Sequence, residues 1–396
     1  MNFIFVSPNF PFDRWRYCDR LKRNGVNVLA IGDAPYFTIE ERLRDALTEY
    51  YFVESLSDYD QVYRAVAFYA FKYGRIDWLE SNNDFWLAQD GRLRTDFHIV
   101  TGAGAETAAL WADRMAVRDV LRREGIPTVR RQMLTSPVAA KSFLSRIGGY
   151  PLLLKPNNVN GVRATVRIQN DEELRQFLDT RPDESFVLEE ELGGDFFTYH
   201  AITGSGCEPL FESLSVPGPD LRTGGLSSSA YCASTELAET LRSLGRRVLS
   251  ALGVRSRFVR VNLCRLTEDR PPLGKAGEFV VLLPHMAPAG GYIPDLINFA
   301  HSTDVYQIWA DMVTEDRRVL PEGGSHRYCC CAGRREDAAY AHSHEDITVR
   351  YWQRIVFCEN TPEQLWDTVG HKVYAAYADD VPGAKEFMTF VSEPAG

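Results

Sequence analysis

Residues 277–300 read GEFVVLLPHMAPAGGYIPDLINFA, an apolar strand followed by a turn and a helix. The run FVVLL predicts a buried strand, and the two adjacent glycines predict a turn before a helical pattern begins. In open α/β sheets, ligand-binding groups commonly lie at strand ends of this kind. This strand end carries a leucine, a proline and His285 where polar ligands are expected. That mismatch is the central question about the sequence.

The N-terminal part of the chain alternates short apolar runs with helical patterns. The runs NFIFV, NVLAIG and IDWLES are typical of strands, and the segments between them have a helical periodicity that ends close to a glycine. Such a series of βαβ units predicts a small parallel sheet over roughly residues 1–105.

Three further units follow this predicted sheet. Residues 106–128 predict a connecting helix. Residues 129–200 combine four strand-like runs with two helical patterns, which is the composition of a small α+β domain. Residues 201–396 hold longer strands and several helices, which predicts a larger α+β domain. The chain is therefore expected to combine α/β and α+β units.

The composition is that of a globular protein without a dense basic surface. The chain has 396 residues, of which 45% are hydrophobic, and a formal net charge of −10. This balance argues against nucleic-acid binding, which needs a clustered basic face. No apolar run approaches the length of about 18 residues that would span a membrane. The first residues read as a strand and not as a signal peptide, and the irregularly spaced cysteines suit buried thiols, so we expect a cytoplasmic protein.

Five segments carry a resemblance to a known superfamily. In chain order they are DRMAVRDVLRREGIPT, YPLLLKPNNVNGVRATVRI, FVLEEELGGDFFTY, FVRVNLCRLTEDRPP and GEFVVLLPHMAPAGGYIPDLINFA. Together they resemble the ATP-grasp superfamily, and most of all its carboxylate–amine ligases, which include amino acid and peptide ligases. The resemblance implies a pre-ATP-grasp parallel α/β domain, a small lid domain and a large C-terminal α+β domain. It also implies ATP as cofactor and small-molecule carboxylate and amine substrates, joined into an amide through an acyl phosphate.

The resemblance assigns four residues to the nucleotide. Lys155 ends an apolar strand, where its ammonium can lie against a phosphate. Arg118 stands where the family has a second phosphate-binding cation. Glu189 and Glu190 stand at the hinge that reads the adenine amino group and a ribose hydroxyl. The loop Asn157–Gly161 replaces a glycine-richer loop that covers phosphates with backbone N–H groups. Each of these charges also fits a plainer interpretation as a solvated surface group.

The metal site departs from the family pattern. ATP-grasp ligases hold magnesium with a glutamate on one strand and a Glu-x-Asn set on the next, commonly followed by an arginine. By alignment these positions are Asn262, Leu283, His285 and Ala287. Hard cations need anionic oxygen ligands, and an acyl phosphate forms with difficulty unless the phosphoryl charge is neutralised. We therefore expect a degenerate metal site, with ATP still a candidate cofactor and magnesium binding doubtful.

Two pairs of histidines offer alternative metal ligands. His285 with His200 could hold a softer ion such as Zn²⁺, although a histidine on an apolar strand is more often a packed core residue. His342 and His344 flank Ser343, and there the pattern favours a helix start, with Ser343 as N-cap and Asp346 at the third helical position.

The family resemblance also places an acceptor wall after the metal strand. Gly290, Gly291, Tyr292 and Asp295 are retained there and would form one side of a substrate pocket. The glycines alone have a simpler explanation as turn residues.

Three functional hypotheses follow from the sequence. The first is an ATP-dependent carboxylate–amine ligase with an unusual metal site. The second is a catalytically degenerate ATP-grasp protein that binds a nucleotide, a small ligand or an active paralogous enzyme as its partner. The third is an ATP-independent enzyme that reuses the cleft with His200 and His285. Because one fold supports many functions, the choice has to be argued from the site.

Overall fold

The computed structural model describes residues 1–158, 165–180, 184–217, 229–233, 239–321 and 327–395. The predicted lid loop lies largely outside these residues, since only Asn157 and Asn158 of it are described. No helix in the described ranges has both the length and the apolarity to cross a bilayer.

The described residues form three sheets. Their strands are Asn2–Val6 (β1), Asn27–Gly32 (β2), Glu49–Phe52 (β3), Trp78–Glu80 (β4), Arg131–Met133 (β5), Leu152–Pro156 (β6), Val166–Ile168 (β7), Phe186–Glu190 (β8), Gly194–Thr203 (β9), Pro209–Pro217 (β10), Ser229–Ala233 (β11), Arg257–Leu266 (β12), Phe279–His285 (β13), Tyr328–Arg334 (β14), Ile355–Asn360 (β15) and Lys372–Ala378 (β16).

Helices pack on the faces of these sheets. Within the described residues they are Arg14–Arg23 (α1), Glu41–Ala46 (α2), Tyr59–Tyr73 (α3), Leu87–Asp96 (α4), Ala105–Ala112 (α5), Arg114–Arg123 (α6), Pro137–Ile147 (α7), Asp171–Thr180 (α8), Glu239–Ala251 (α9), Ile293–His301 (α10), Val305–Glu315 (α11), His344–Tyr351 (α12) and Val381–Ser392 (α13).

The first sheet is parallel, as the βαβ pattern predicted. Its order is β3-β2-β1-β4, so the first strand lies in the middle. Strand β1 is covered on both faces, because Phe3 and Phe5 pack with α1 and α11 while Ile4 and Val6 pack with α3. Burial on both faces explains why β1 and β2 are continuously apolar in sequence.

The second sheet is small and antiparallel, with the order β5-β8-β6-β7. Helices α7 and α8 cover one of its faces, where Leu152, Leu154 and Leu188 form a compact core with Phe143 and Phe186. The opposite face carries Leu153 and Lys155, since successive residues of a strand alternate between faces. The lid-like unit therefore presents a polar face away from its helices.

The third sheet is antiparallel and has the order β13-β12-β9-β10-β11-β14-β16-β15. Strands β12 and β13 lie at one edge, next to β9, and helix α9 packs against them with α5 and α6. Cys329, Cys330 and Cys331 are buried thiols on β14, as the sequence predicted.

The first residues of α12 and α6 bear on two predictions made from the sequence. Ser343 caps α12: its hydroxyl accepts a hydrogen bond from the Asp346 N–H at 3.1 Å, and the Asp346 carboxylate accepts from the Ser343 N–H at 2.7 Å. The predicted capping interpretation is confirmed. The region 106–128, predicted as a connecting helix, contains α6 and most of α5. Asp113 separates them with extended backbone and caps α6 through the N–H groups of Met115 and Ala116.

The linker after α6 ties the small sheet to the large one. Thr128 forms an isolated parallel bridge with Val281 of β13, and the Thr128 hydroxyl donates to the Val281 carbonyl. The polar face of the small sheet also contacts β13, because Arg131 donates to the Leu282 carbonyl, and Asp84 after β4 contacts His285 at the end of the same strand.

Candidate functional site

Cross-strand register brings the predicted metal positions together on β12 and β13. Asn262 lies opposite Leu283, and Arg260 lies opposite His285 one step along the same face. On the other side of β12, His200 of β9 pairs with Arg260. Asn262, Leu283 and His285 therefore lie close together, with Arg260 beside them.

The two histidines of the zinc hypothesis do not come together. His200 and His285 lie two strands apart, with Arg260 between them, and adjacent strands are about 4.8 Å apart. The His200 Nε2 shares a hydrogen bond of 2.7 Å with the Ser215 hydroxyl. Burial, together with the positive charge of Arg260, lowers the pKa of His200 to about 3.

An aspartate from the first domain engages this pair of strands. Asp84 Oδ2 lies 2.9 Å from His285 Nδ1 and 3.3 Å from Arg260 Nη2. The other carboxylate oxygen of Asp84 accepts from the Met286 N–H at 2.8 Å. Asp84 opens a short 3₁₀ turn after β4, and Asn82 reaches that turn with a φ of 51°, a left-handed conformation that asparagine tolerates.

These contacts keep Asp84 ionised. Burial raises the pKa of Asp84, but His285, Arg260 and the Met286 N–H outweigh it and lower the pKa to about 2. Burial and the nearby Arg260 lower the pKa of His285. The remaining Arg260 contacts are to backbone carbonyls, with Nη1 3.0 Å from Ala287 O and 2.5 Å from Pro288 O.

A second charged group lies on the polar face of the small sheet. Lys155 Nζ is 2.5 Å from Glu189 Oε1, and Arg131 Nε donates to the other oxygen of the same carboxylate. Arg131 also donates to the Leu282 carbonyl of β13, and its Nη1 is buried with no hydrogen-bond partner among the described residues. Burial opposes the charge of Glu189, but Arg131 and Lys155 hold its pKa below the usual value.

The two predicted hinge glutamates face opposite sides of the sheet. Glu190 turns away from Lys155, and each of its oxygens accepts from Arg130 at 2.5 Å. Adjacent strand residues alternate in this way. The structure therefore brings Glu189 and Lys155 together and separates Glu190 from them.

Arg118 and Arg114 lie one turn apart on α6 but have different neighbours. Arg118 Nη1 donates to the Arg131 carbonyl at 2.6 Å and its Nε to Asp119 at 2.9 Å. Arg114 Nε donates to the Pro156 carbonyl at 2.9 Å, at the end of the lysine strand. Burial and the nearby Arg131 lower the pKa of Arg114, while Glu189 and Asp84 act in the opposite direction.

Sequence reasoning missed Arg114 and Asp84. Arg114 directly follows the helix-capping Asp113, but its position beside the lysine strand depends on tertiary contacts such as the Asn157 amide, which donates to the Asp113 carboxylate at 2.9 Å. No signal existed for Asp84, whose partners His285 and Arg260 are more than 170 residues away along the chain.

The predicted acceptor wall lies at the end of β1. Gly290 and Gly291 precede Tyr292, whose ring lies 5.6 Å from that of Phe12, and these residues line a largely apolar cavity of about 390 Å³. Gly291 has a φ of 68°, which favours glycine at this turn. Asp295 is buried and bonded to Arg16 and Tyr306.

Magnesium does not fit the donor set on β12 and β13. Asn262 offers one amide oxygen, and that oxygen already accepts from Thr198 at 3.1 Å. Leu283 offers none, and the Asp84 carboxylate is already bonded to His285 and Arg260. A divalent cation here would have to bind beside a guanidinium, which repels it. The described residues contain no group of three or more acidic, histidine or cysteine side chains arranged to hold a metal.

Comparison with solved structures defines the class of fold. Similar structures include L-amino acid ligase from Bacillus licheniformis, with a TM-score of 0.70 and 13% identity over 98% of this chain and 95% of that chain. N5-carboxyaminoimidazole synthetase from Staphylococcus aureus, complexed with ADP, has a TM-score of 0.70 and 12% identity over 98% and 95%. Phosphoribosylglycinamide synthetase from Anaerococcus prevotii has a TM-score of 0.66 and 13% identity over 97% and 96%.

The chain thus shares the fold of these structures over nearly its whole length, and the predicted ATP-grasp fold is confirmed. No protein-family model and no curated protein matches the chain. At identities of 12 to 13% the likeness establishes the fold, and the activity has to be argued from the site.

Proposed function

We propose that this protein binds a nucleoside polyphosphate, with ATP as the first candidate, in the cleft between the small sheet and strands β12 and β13. The observation that carries this proposal is the set of cations around that cleft. Lys155, Arg131, Arg114 and Arg260 lie around it on four elements, whereas Glu189 and Asp84 are the carboxylates bonded among them. An excess of guanidinium and ammonium groups in a partly buried cleft favours phosphate oxygens.

The fold gives independent support for a nucleotide. The similar synthetase from Staphylococcus aureus was solved with ADP, and the fold comparison covers 98% of the present chain. Lys155 lies near the end of its strand, and its side chain is 21% exposed beside Glu189. Glu189 and Glu190 contribute less to base recognition in this proposal, because arginines already occupy both carboxylates.

Amide ligation is the second candidate function. It is favoured by the acceptor wall, where Gly290, Gly291 and Tyr292 line a cavity and Asp295, in the first turn of the following helix, pairs with Arg16. The similar Bacillus licheniformis structure is itself an amino acid ligase. In this version the wall would hold the carboxylate and amine substrates, and the arginines of the cleft would neutralise phosphate charge. No step here is assigned to magnesium, since its ligands are missing on β12 and β13.

The ATP-independent enzyme that reuses the cleft with His200 and His285 stays a prediction from the sequence. Binding to a paralogous enzyme partner stays a prediction from the sequence.

Titration of ATP by calorimetry tests the nucleotide proposal. We expect Lys155→Met to weaken ATP binding by about tenfold to a hundredfold, because a charge-assisted contact to phosphate is lost. Lys141→Met is the matched control, since Lys141 is an exposed lysine on α7. Equal ATP affinity in both variants would contradict the proposal.

Release of ADP over a panel of carboxylates and amines separates the two candidate functions. ADP formed only when an amine is added would establish ligation. Saturable ATP binding without ADP release over the whole panel would leave binding as the function.

A further inference from the structure

The positions at which the family resemblance places magnesium ligands carry other side chains in this chain, and an arginine lies beside them. Arg260, Asn262, Leu283 and His285 share one face of two paired strands, because Arg260 lies opposite His285 and Asn262 opposite Leu283. Two steps along a strand return to the same face. The guanidinium of Arg260 is therefore attached next to the two positions from which acidic ligands are missing.

Hydrogen bonds hold the Arg260 guanidinium in place, but they do not involve all of its N–H donors. Its Nη1 donates to the carbonyls of Ala287 and Pro288, and its Nη2 donates to Asp84. These contacts leave Nε and one N–H of Nη2 without a hydrogen-bond partner in the described residues. The Arg260 side chain is 22% exposed, so these donors are not sealed in a core.

The nearby Arg257 shows what a purely structural arginine looks like on the same strand. Its side chain is 2% exposed and bonded to Glu80, which is 4% exposed. Arg260 differs in its exposure and in its weaker ion pair, where the Asp84 oxygen is 3.3 Å away. His285 shares that same oxygen and limits how far Asp84 can neutralise Arg260.

We infer that Arg260, positioned by Asp84 and His285, forms a built-in oxyanion site that binds phosphate oxygens directly in the place of a divalent cation. This inference rests on the proposed function for the nature of its ligand, a polyphosphate chain. Arg114 and Arg131 lie within electrostatic range of Asp84 or Glu189 and extend the same cationic surface toward Lys155. A guanidinium has planar paired donors suited to phosphate, and unlike magnesium it cannot be removed by a chelator.

The test measures binding of ATP and of inorganic tripolyphosphate in EDTA and in excess magnesium. We expect the wild-type protein to bind both probes in EDTA at least as tightly as in magnesium, because magnesium would compete with Arg260 for the phosphate charge. Arg260→Gln should weaken binding in EDTA by about tenfold to a hundredfold. Arg265→Gln is the matched control, since Arg265 lies on the same strand in an exposed pair with Asp195.

A second variant tests whether Arg260→Gln weakens binding only because it disturbs the structure. Arg260→Gln combined with Asn262→Glu and Leu283→Glu restores carboxylates to the two ligand positions. We expect this variant to bind ATP in magnesium and to lose that binding in EDTA.

Two results would overturn the inference. One is wild-type ATP binding that disappears in EDTA, and the other is an Arg260→Gln variant that binds both probes like Arg265→Gln. If tripolyphosphate binds through Arg260 while ATP does not bind in either buffer, the nucleotide function fails and the oxyanion site stands. If neither probe binds, both proposals fail.

Discussion

At the scale of single residues, the charge state of the site depends on how its acidic and basic side chains pair. One carboxylate oxygen of Asp84 contacts both His285 and Arg260, and both residues lie far from Asp84 in the sequence. The sequence identified His285 as an unusual residue at a strand end. It did not reveal Asp84, because an aspartate after a short strand looks like an ordinary turn residue until the strands are folded together.

Asp84→Asn is expected to destabilise the protein by about 2 kcal/mol near pH 7, because the folded-state pKa of Asp84 is lowered to about 2 from the usual value near 3.9. A lowered carboxylate pKa contributes stability that is complete above the unfolded pKa. This stability is lost as the pH falls through the folded pKa. The difference between variant and wild type should therefore shrink from pH 7 toward about pH 2 in urea unfolding experiments.

Asp195→Asn is the control for Asp84→Asn, because Asp195 is 45% exposed in its pair with Arg265. Exposed pairs contribute about 0 to 1 kcal/mol. Equal losses of stability in the two variants would show that Asp84 is not the ionised centre described above.

At the scale of elements, strand alternation and helix caps explain most local outcomes. Alternation puts Lys155 and Glu189 on the cleft face of the small sheet and Glu190 on the other face. The cap at Ser343 was predictable because its two hydrogen bonds are local. Helix α9 packs closely on β9, and Gly245 lies at that contact. A Cβ at Gly245 would be 2.7 Å from the ring of buried Tyr199.

Gly245→Ala is expected to lower the free energy of unfolding by about 1 to 3 kcal/mol, because the added methyl group overpacks against Tyr199. Helix propensity acts the other way and is worth about 1 kcal/mol in favour of alanine. Thermal and urea unfolding decide which effect is larger. Ser243→Ala, at an exposed position of the same helix, is the control and should be neutral or slightly stabilising. A gain of stability at Gly245 would mean that Tyr199 can move aside.

At the scale of the whole molecule, a buried ion cluster joins the first sheet to the third. Glu80, at the end of β4, accepts from Arg94 Nη2 at 2.7 Å and also pairs with Arg257 of β12. Burial opposes the charge of Glu80, and the two arginines hold its pKa below the usual value. Trp309 of α11 also packs edge-on against Phe3 of β1, at a centroid distance of 5.7 Å. The first sheet therefore shares a core with the third.

Glu80→Gln should destabilise the whole protein by about 3 to 5 kcal/mol, since it removes the carboxylate that is bonded to two buried guanidinium groups. The loss should appear in a single unfolding transition followed by both tryptophan fluorescence and circular dichroism. Glu49→Gln removes a charge from a partly exposed pair with Lys72 and is the control. If tryptophan fluorescence and circular dichroism showed unfolding transitions that do not coincide, the two sheets would not unfold together.

The sequence by itself predicted the alternation of strands and helices, the parallel first sheet and the absence of acidic side chains at Asn262 and Leu283. Those features depend on local periodicity and on residue type, which are written along the chain. Tertiary structure alone decided that Asp84 engages His285 and Arg260, that Arg114 lies beside the lysine strand and that Arg131 occupies Glu189. These contacts join residues far apart in sequence, and the free energy of a buried charge depends on partners that become neighbours only when the sheets pack together.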